Sequence, residues 1–341
     1  VADPGDPCDD TLFCNGADHC SGGECALHDD DPCDALETCV EGRGCLTECE
    51  TAEAKESYVG CEYWGAFLQN DTPNNYAVVV ANPNDTEVTV TAYGNGNVEL
   101  AQFTVAAYGV NSQTFDTTRH LTGAGIFDHA FKFVASRPVT MTQMNPFGNV
   151  LTYTNDASLL LPKGALGHQY YAMSWPDWYY YEGSGCEGEP VTTYNYPGFV
   201  SVVAVEPGTT TVTVTYHGDS APGDGEFAAQ EAGDTVQYTL TQYQILNLNS
   251  AAGSGTVTAY GADLTGSLIE ADKRVAVFGG HECTDVPADK FACDHLEHQV
   301  FPLRSWGKEY VAVRTKSCGT ESDYLRILAS VNGTSVSWSG G

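Results

Sequence analysis

The chain has 341 residues and carries 14 Lys and Arg against 45 Asp and Glu, a formal charge of −31. So negative a surface excludes nucleic acid and anionic membranes as natural partners. Thirteen cysteines, with no iron–sulfur spacing among them, exclude a reduced cytosolic setting and point to a secreted or cell-surface protein.

Residues 1–50 hold eight of the cysteines: Cys8, Cys14, Cys20, Cys25, Cys33, Cys39, Cys45 and Cys49. Asp6-Pro7-Cys8-Asp9 returns as Asp31-Pro32-Cys33-Asp34, and the spacing C-x5-C-x5-C-x4-C returns as C-x5-C-x5-C-x3-C. A fixed period with matching spacing reads as two tandem modules. Their large apolar residues are few (Leu12, Phe13, Leu36, Val40), so disulfides within each module are expected to replace a core. Residues 1–56 carry 16 acids and 2 bases, a net of −14, as suits a solvated stalk. Asp9-Asp10 and Asp29-Asp30-Asp31 are clustered hard oxygen ligands that could take calcium, although no D-x-D-x-D-G loop is present and a solvated acidic face is the simpler reading. Residues 51–57 are expected to be a linker. The first residues lack the basic start and apolar run of a leader, which is expected to have been removed. No run approaches the ~18 apolar residues of a membrane-spanning segment.

From Tyr58 onward Val and Thr alternate, as in Val88-Thr-Val-Thr91 and Val212-Thr-Val-Thr215, between turns rich in Gly, Asn and Pro. Period-2 alternation of β-branched residues predicts half-buried antiparallel strands. The fold class is therefore all-β: repeated antiparallel β-sandwich-like units behind a small disulfide-rich, loop-dominated N-terminal segment. The stretch from Tyr76 to Thr91 matches that from Val200 to Thr215, with Pro83 and Pro207 in register. Phe133 to Met141 aligns with Ile269 to Val277, and a third start appears at Leu325. The expected organisation is a first β unit at 58–160, a second at 161–290, and a connecting segment with the truncated start of a third at 291–341. A fragment of a longer protein is expected.

The second unit holds an excursion without counterpart in the first: Ser174-Trp-Pro-Asp-Trp-Tyr-Tyr-Tyr181, continued by Tyr194-Asn-Tyr196. Trp175, Trp178, Tyr179, Tyr180 and Tyr181 cannot alternate cleanly between core and solvent on one strand, so some are expected to be exposed and to contact a ligand. The competing reading is that they close the end of a sandwich or pack on a neighbour.

His281-x-Cys283 and Cys293-x-His295 form a Cys2His2 set that could hold zinc. An oxidising compartment favours a Cys283–Cys293 disulfide instead, and no metal is assigned. By elimination Cys61 is expected to pair with Cys186 or Cys318. Sequons at Asn70, Asn84 and Asn332 arise readily in Asn/Thr-rich turns. No G-x-S-x-G, H-E-x-x-H or Walker-type loop is present; a glycosidase needs no motif for its two carboxylates and stays open.

Gly60-Cys-Glu-Tyr-Trp64, Tyr153-Thr-Asn-Asp-Ala-Ser-Leu-Leu-Leu-Pro162 and Asp263-Leu-Thr-Gly-Ser267 are similar to phrases of the N-terminal domain of IgG Fc-binding proteins. The most specific is Gly280-His-Glu-Cys283 leading to Ala292-Cys-Asp-His-Leu-Glu297 and Trp306-Gly-Lys-Glu-Tyr-Val311. The tandem modules resemble cysteine-rich repeats of bacterial cell-surface proteins. These resemblances imply an extracellular binding or adhesion protein without catalytic activity or cofactor, recognising a protein or glycan ligand. A structural subunit of an extracellular fibre, able to self-associate, is the alternative, and a glycan-active hydrolase the third.

Overall fold

The computed structural model describes residues 3–34, 37–71, 75–147, 154–182, 192–225, 227–253, 259–288, 293–313 and 323–339. The N-terminal modules are small hairpins: β1 (Pro7–Cys8), β2 (Asp18–Ser21) and β3 (Glu24–His28) form one sheet, β4 (Glu37–Val40) and β5 (Gly44–Thr47) another. Cys8–Cys25 and Cys33–Cys45 close loops inside the two modules. Cys14–Cys39 joins one module to the other, and Cys49 pairs with Cys61. Two expectations are thereby corrected: not all eight cysteines pair within their modules, and Cys61 does not reach for Cys186 or Cys318, which lie outside the described residues. Cys20 is a buried free thiol, packed like a small apolar side chain.

Where a linker was expected, the chain turns into a helix, α1 (Glu48–Ala54). The cause is local. Thr47 accepts from the Glu50 amide while the Glu50 carboxylate accepts from the Thr47 amide, a complete capping box. Ala52 is buried, and Glu48 and Glu53 reach Arg137 and Arg274 in the two β units. With Cys49 on the helix and Cys61 on the next strand, the stalk is anchored to the β region.

The first unit comprises β6 (Gly60–Gly65), β7 (Tyr76–Ala81), β8 (Val88–Gly94), β9 (Val98–Val105), β10 (Val110–Phe115), the short β11 (Gly125–Phe127), β12 (Phe131–Asn145) and β13 (Asp156–Leu159). The second adds β14 (Gly167–Tyr171), β15 (Trp178–Glu182), β16 (Thr192–Tyr196), β17 (Gly198–Ala204), β18 (Thr209–Thr215), β19 (Thr235–Thr241), β20 (Ile245–Asn249), β21 (Ala259–Tyr260), β22 (Leu268–Thr284) and β23 (Asp294–Gln299). Their strand orders are copies. The first runs β10-β7-β12-β8-β9 with β6 and β13 also on β12; the second runs β20-β17-β22-β18-β19 with β14 and β23 also on β22. β11 of the first unit joins the second sheet beside β20.

Each unit is organised by one long strand, β12 or β22, that pairs with different neighbours along its length. The register refines the sequence alignment. Ala135 pairs with Val90, and Ile269 pairs with Val214, so Ala135 rather than Phe133 occupies the position of Ile269. A slip from Phe133 to Ala135 preserves side-chain parity in a period-2 strand.

The units share a core. Phe199, Val203, Tyr243, Ile245 and Phe278 of the second pack with Trp64, Phe67, Tyr76 and Phe133 of the first, while Val200, Val202, Leu246 and Val277 face a core of the second unit alone. β17 is thus buried on both faces, which is why it reads as an apolar run rather than an alternation. Gly279 and Gly280 sit where β22 is crowded from two sides: a Cβ at the first would collide with the Met173 carbonyl, and at the second with that of Leu296. The free alternation of Val and Thr builds the sheets; two glycines let the central strand pass between its neighbours.

Candidate binding surface and the seam between units

The segment between β14 and β17 (172–197) contributes β15 and β16 to a small sheet in the order β16-β15-β21. Trp178 pairs with Tyr196 on one side and Tyr260 on the other. Burial corrects the expectation of exposure for the two described aromatics of β15: Trp178 is 6% and Tyr179 5% exposed. The Trp178 ring stacks on Tyr196 at 5.4 Å, and its Nε1 donates to the Ala288 carbonyl at 3.4 Å. Tyr179 lies over Gly253, where any Cβ would run into its ring. Trp175 is half-buried, edge-on to Tyr260 at 6.1 Å and beneath the Arg326 guanidinium at 4.9 Å. The side chains of Tyr180 and Tyr181 lie outside the described residues. These aromatics weld the excursion down because a short strand from far downstream, β21, covers β15.

The outward side belongs to β16. Among the described residues it is the edge strand of the sheet, and Tyr194 on it is 44% exposed. Beneath the sheet Asp177 is almost fully buried; its amide donates to Ala262 and its Oδ2 accepts from Gly253 at 2.7 Å. Burial pushes its carboxyl up to about 6, the Gly253 hydrogen bond opposing the shift.

Behind this sheet runs a polar seam between the two units. Gln69 Nε2 donates to Glu282 at 2.7 Å, and its Oε1 accepts from Asn249 at 3.0 Å. Asn145 donates to the Leu68 carbonyl and lies 3.2 Å from His295 Nε2, which is 3.7 Å from Glu297. Gln143 donates to Glu297 at 3.4 Å and accepts from the Ala66 amide. Burial raises Glu282 to about 7, with the Asp71 charge adding to the rise, and raises Glu297 as well. The same burial holds His281 down at about 3. Amides and carboxyls whose pKa burial raises line the place where two sheets meet, hydrogen-bonded as a buried polar layer requires. The Cys2His2 set resolves as expected: Cys283 and Cys293 form a disulfide, and His281 Nδ1 accepts the Cys283 amide. No thiolate is left there for zinc.

A sequence model of the family described as IgGFc binding protein matches residues 156–341, more than half of the chain. The chain belongs to this family. The human IgGFc-binding protein is 29% identical over 208 residues, which are 61% of this chain and 3% of the relative, so the chain spans a small fraction of that protein's length. No solved structure matches. The family is one of binding proteins rather than enzymes. Five disulfides fit an extracellular setting, and no helix among the described residues is long and apolar enough to cross a membrane. The family match takes in the aromatic sheet, the second unit and everything after it, and leaves the acidic stalk outside.

In that stalk the acidic runs do not act as clusters. Asp29 pairs with His19 at 3.2 Å, holding the imidazole pKa up, while Asp31 accepts the Cys33 amide. The convergent donors are instead Asp10, Asp18 and His28, whose ligand atoms lie within 4.8 Å of one another. Asp18 and His28 face each other across the β2–β3 hairpin at 2.8 Å, and Asn15 links Asp10 to His28. Two carboxylates and an imidazole could hold a divalent cation; here hydrogen bonds satisfy them. Sequence spacing missed the set because a hairpin, not a loop motif, assembles it. Two sequons are structural: Asn70 is buried against Leu68 and Asn145, and Asn84 is pinned by Asn82 and the Pro138 carbonyl.

Proposed function

We propose that this chain is an extracellular, non-catalytic protein-binding module whose ligand contacts the outer strand of the aromatic sheet, centred on Tyr194 and the β16 edge. The observation that carries this reading is the position of the excursion. The first unit folds with the same strand order and only a short connection between β6 and β7, so the second unit's sheet is an addition to a complete framework. Additions of this kind on rigid scaffolds are where recognition resides, and the half-exposed Tyr194 ring offers a large amphipathic contact. Trp175, Trp178 and Tyr179 hold the platform, while Tyr194 presents it. The acidic stalk, similar to bacterial surface repeats, sets this surface away from its attachment.

The name of the human relative, IgGFc-binding protein, makes the Fc portion of IgG the first ligand to test. Immobilised Fc should bind the chain, and Tyr194→Ala should weaken that binding tenfold or more while lowering the melting temperature less than Trp178→Ala does. Trp178→Ala should instead lose about 3–5 kcal/mol of stability, since its ring is packed. Binding by wild type that Tyr194→Ala leaves intact would remove β16 from the interface. Binding to a glycan array but not to Fc or other proteins would replace the ligand class.

A further inference from the structure

Residues beyond β23 begin the repeat again. After β13 the chain reads Pro162-Lys-Gly-Ala-Leu-Gly167-His-Gln-Tyr170; after β23 it reads Pro302-Leu-Arg-Ser-Trp-Gly307-Lys-Glu-Tyr310. Both prolines open a 3-10 turn. Residues 307–313 therefore stand where β14 stands, and residues 325–331 where β17 stands, with Leu325 and Ile327 at the positions of Val200 and Val202. In both complete units these two strands are not neighbours. β6 and β7 each pair with β12, and β14 and β17 each pair with β22. In the third copy neither segment has a sheet partner among the described residues. Their apolar side chains face water: Val311 is 91% and Ile327 59% exposed, whereas Val200, Val202 and Tyr170 are buried.

We propose that residues 307–313 and 325–331 are the two flanking strands of a third β unit and form a slot for its central strand. The occupant is a segment of the β12 and β22 type, 15 or 17 residues of apolar alternation, supplied by the continuation of the repeat in the same polypeptide. Spacing sets its place. The flanking and central strands start at Tyr76 and Phe131 in the first unit, and at Gly198 and Leu268 in the second. Counted from Leu325, either spacing places the third central strand past Gly341. The junction with the second unit is already made. Arg326 donates to the Ser174 carbonyl at 2.7 Å and to Asp263 Oδ2 at 2.5 Å while covering Trp175. A cavity of about 470 Å³ remains between Met173, His217 and Thr265 of the second unit and Ile327 and Leu328 of the third. The shared core of the first two units is the precedent for filling it. Apolar alternating segments of this kind, left in water, are a docking surface for a strand.

The test adds in trans a synthetic peptide of Leu268–Thr284 carrying Cys283→Ser, and reads amide hydrogen exchange of the whole chain. Protection of 307–313 and 325–331 should rise at least tenfold with one peptide bound per chain, a scrambled peptide should do nothing, and Leu325→Asp with Ile327→Asp should abolish the effect without altering protection of β17. A chain extended along its natural continuation, far enough to include the next strand of the β12 and β22 type, should show the same protection without peptide and should no longer bind it. No protection by the peptide, or an extended chain that still takes it up, overturns the proposal. Protection that grows with concentration of the unextended chain alone assigns the slot to a second copy and overturns the occupant named here.

Discussion

The stalk and the second β unit stay folded for opposite reasons. In residues 3–34 and 37–47 the buried apolar side chains are Cys20 and Leu46, and three disulfides close the loops. In the second unit Val200, Val202, Val212, Val214, Leu246, Leu248, Ile269 and Val277 fill a continuous core, and a single described disulfide lies at its rim. The lesson concerns where each region can vary. A segment held by bridges leans on few apolar side chains beyond its cysteines and on glycines such as Gly16, where a Cβ would meet the Asp30 carbonyl, whereas a segment held by packing tolerates additions only outside its strands. The aromatic sheet is such an addition.

Reduction should break this comparison most visibly. Each bridge of the stalk contributes about 2–4 kcal/mol and no core stands in for it, so dithiothreitol should abolish ordered structure there. The strand signal of the β units in circular dichroism should survive. A joint collapse at one reductant concentration would show that the anchoring through α1 and Cys49–Cys61 carries the β region as well.

A core truncation acts on the other side of the comparison. Phe278 is fully buried where the second unit's central strand meets the first unit. Phe278→Ala should cost about 3–5 kcal/mol and lower the melting of both units together, since their core is continuous. Two separate transitions, with the first unit unmoved, would contradict the shared core.

The smallest effect is the pH response of Asp177. Its folded carboxyl, at about 6, keeps its proton to higher pH than an unfolded one near 3.8. The resulting stabilisation is complete below about pH 4 and is lost as pH rises through about 6. Asp177→Asn removes this titration, so the variant should melt with wild type at pH 4 and above it at pH 8, by roughly 1–3 kcal/mol. Equal differences at both pH values would mean that the carboxyl is solvated. Glu282 moves the wild-type curve in the same sense up to about pH 7, and His281, held at about 3, opposes it as pH falls below 6.5. The variant-minus-wild-type difference isolates Asp177 from both.

Much of this was legible residue by residue. The Val/Thr alternation, the repeat through Pro83 and Pro207 and the Cys283–Cys293 bridge all follow from local chemistry, because period, turn residues and redox setting act over a few positions. A signal for α1 was also present in Thr47-Glu-Cys-Glu50, a capping box that the dense cysteine pattern obscured. Trp178 and Tyr179 were not legible in the same way. Their spacing required that some aromatics leave the core, yet which ones did so depended on β21 arriving from residues 259–260.

The sequence by itself determined an all-β, disulfide-bearing chain built from a repeated unit, since alternation and cysteine spacing are properties of neighbouring residues. Only the tertiary structure decided that Cys14 crosses to Cys39, that Asp10, Asp18 and His28 converge, and that Gln69, Gln143, Asn145, Asn249, Glu282 and Glu297 form one seam. These are contacts between residues up to 213 positions apart. What brings them together is the pairing of β17 with both β20 and β22 and the burial of its two faces, a long-range outcome that no local period encodes.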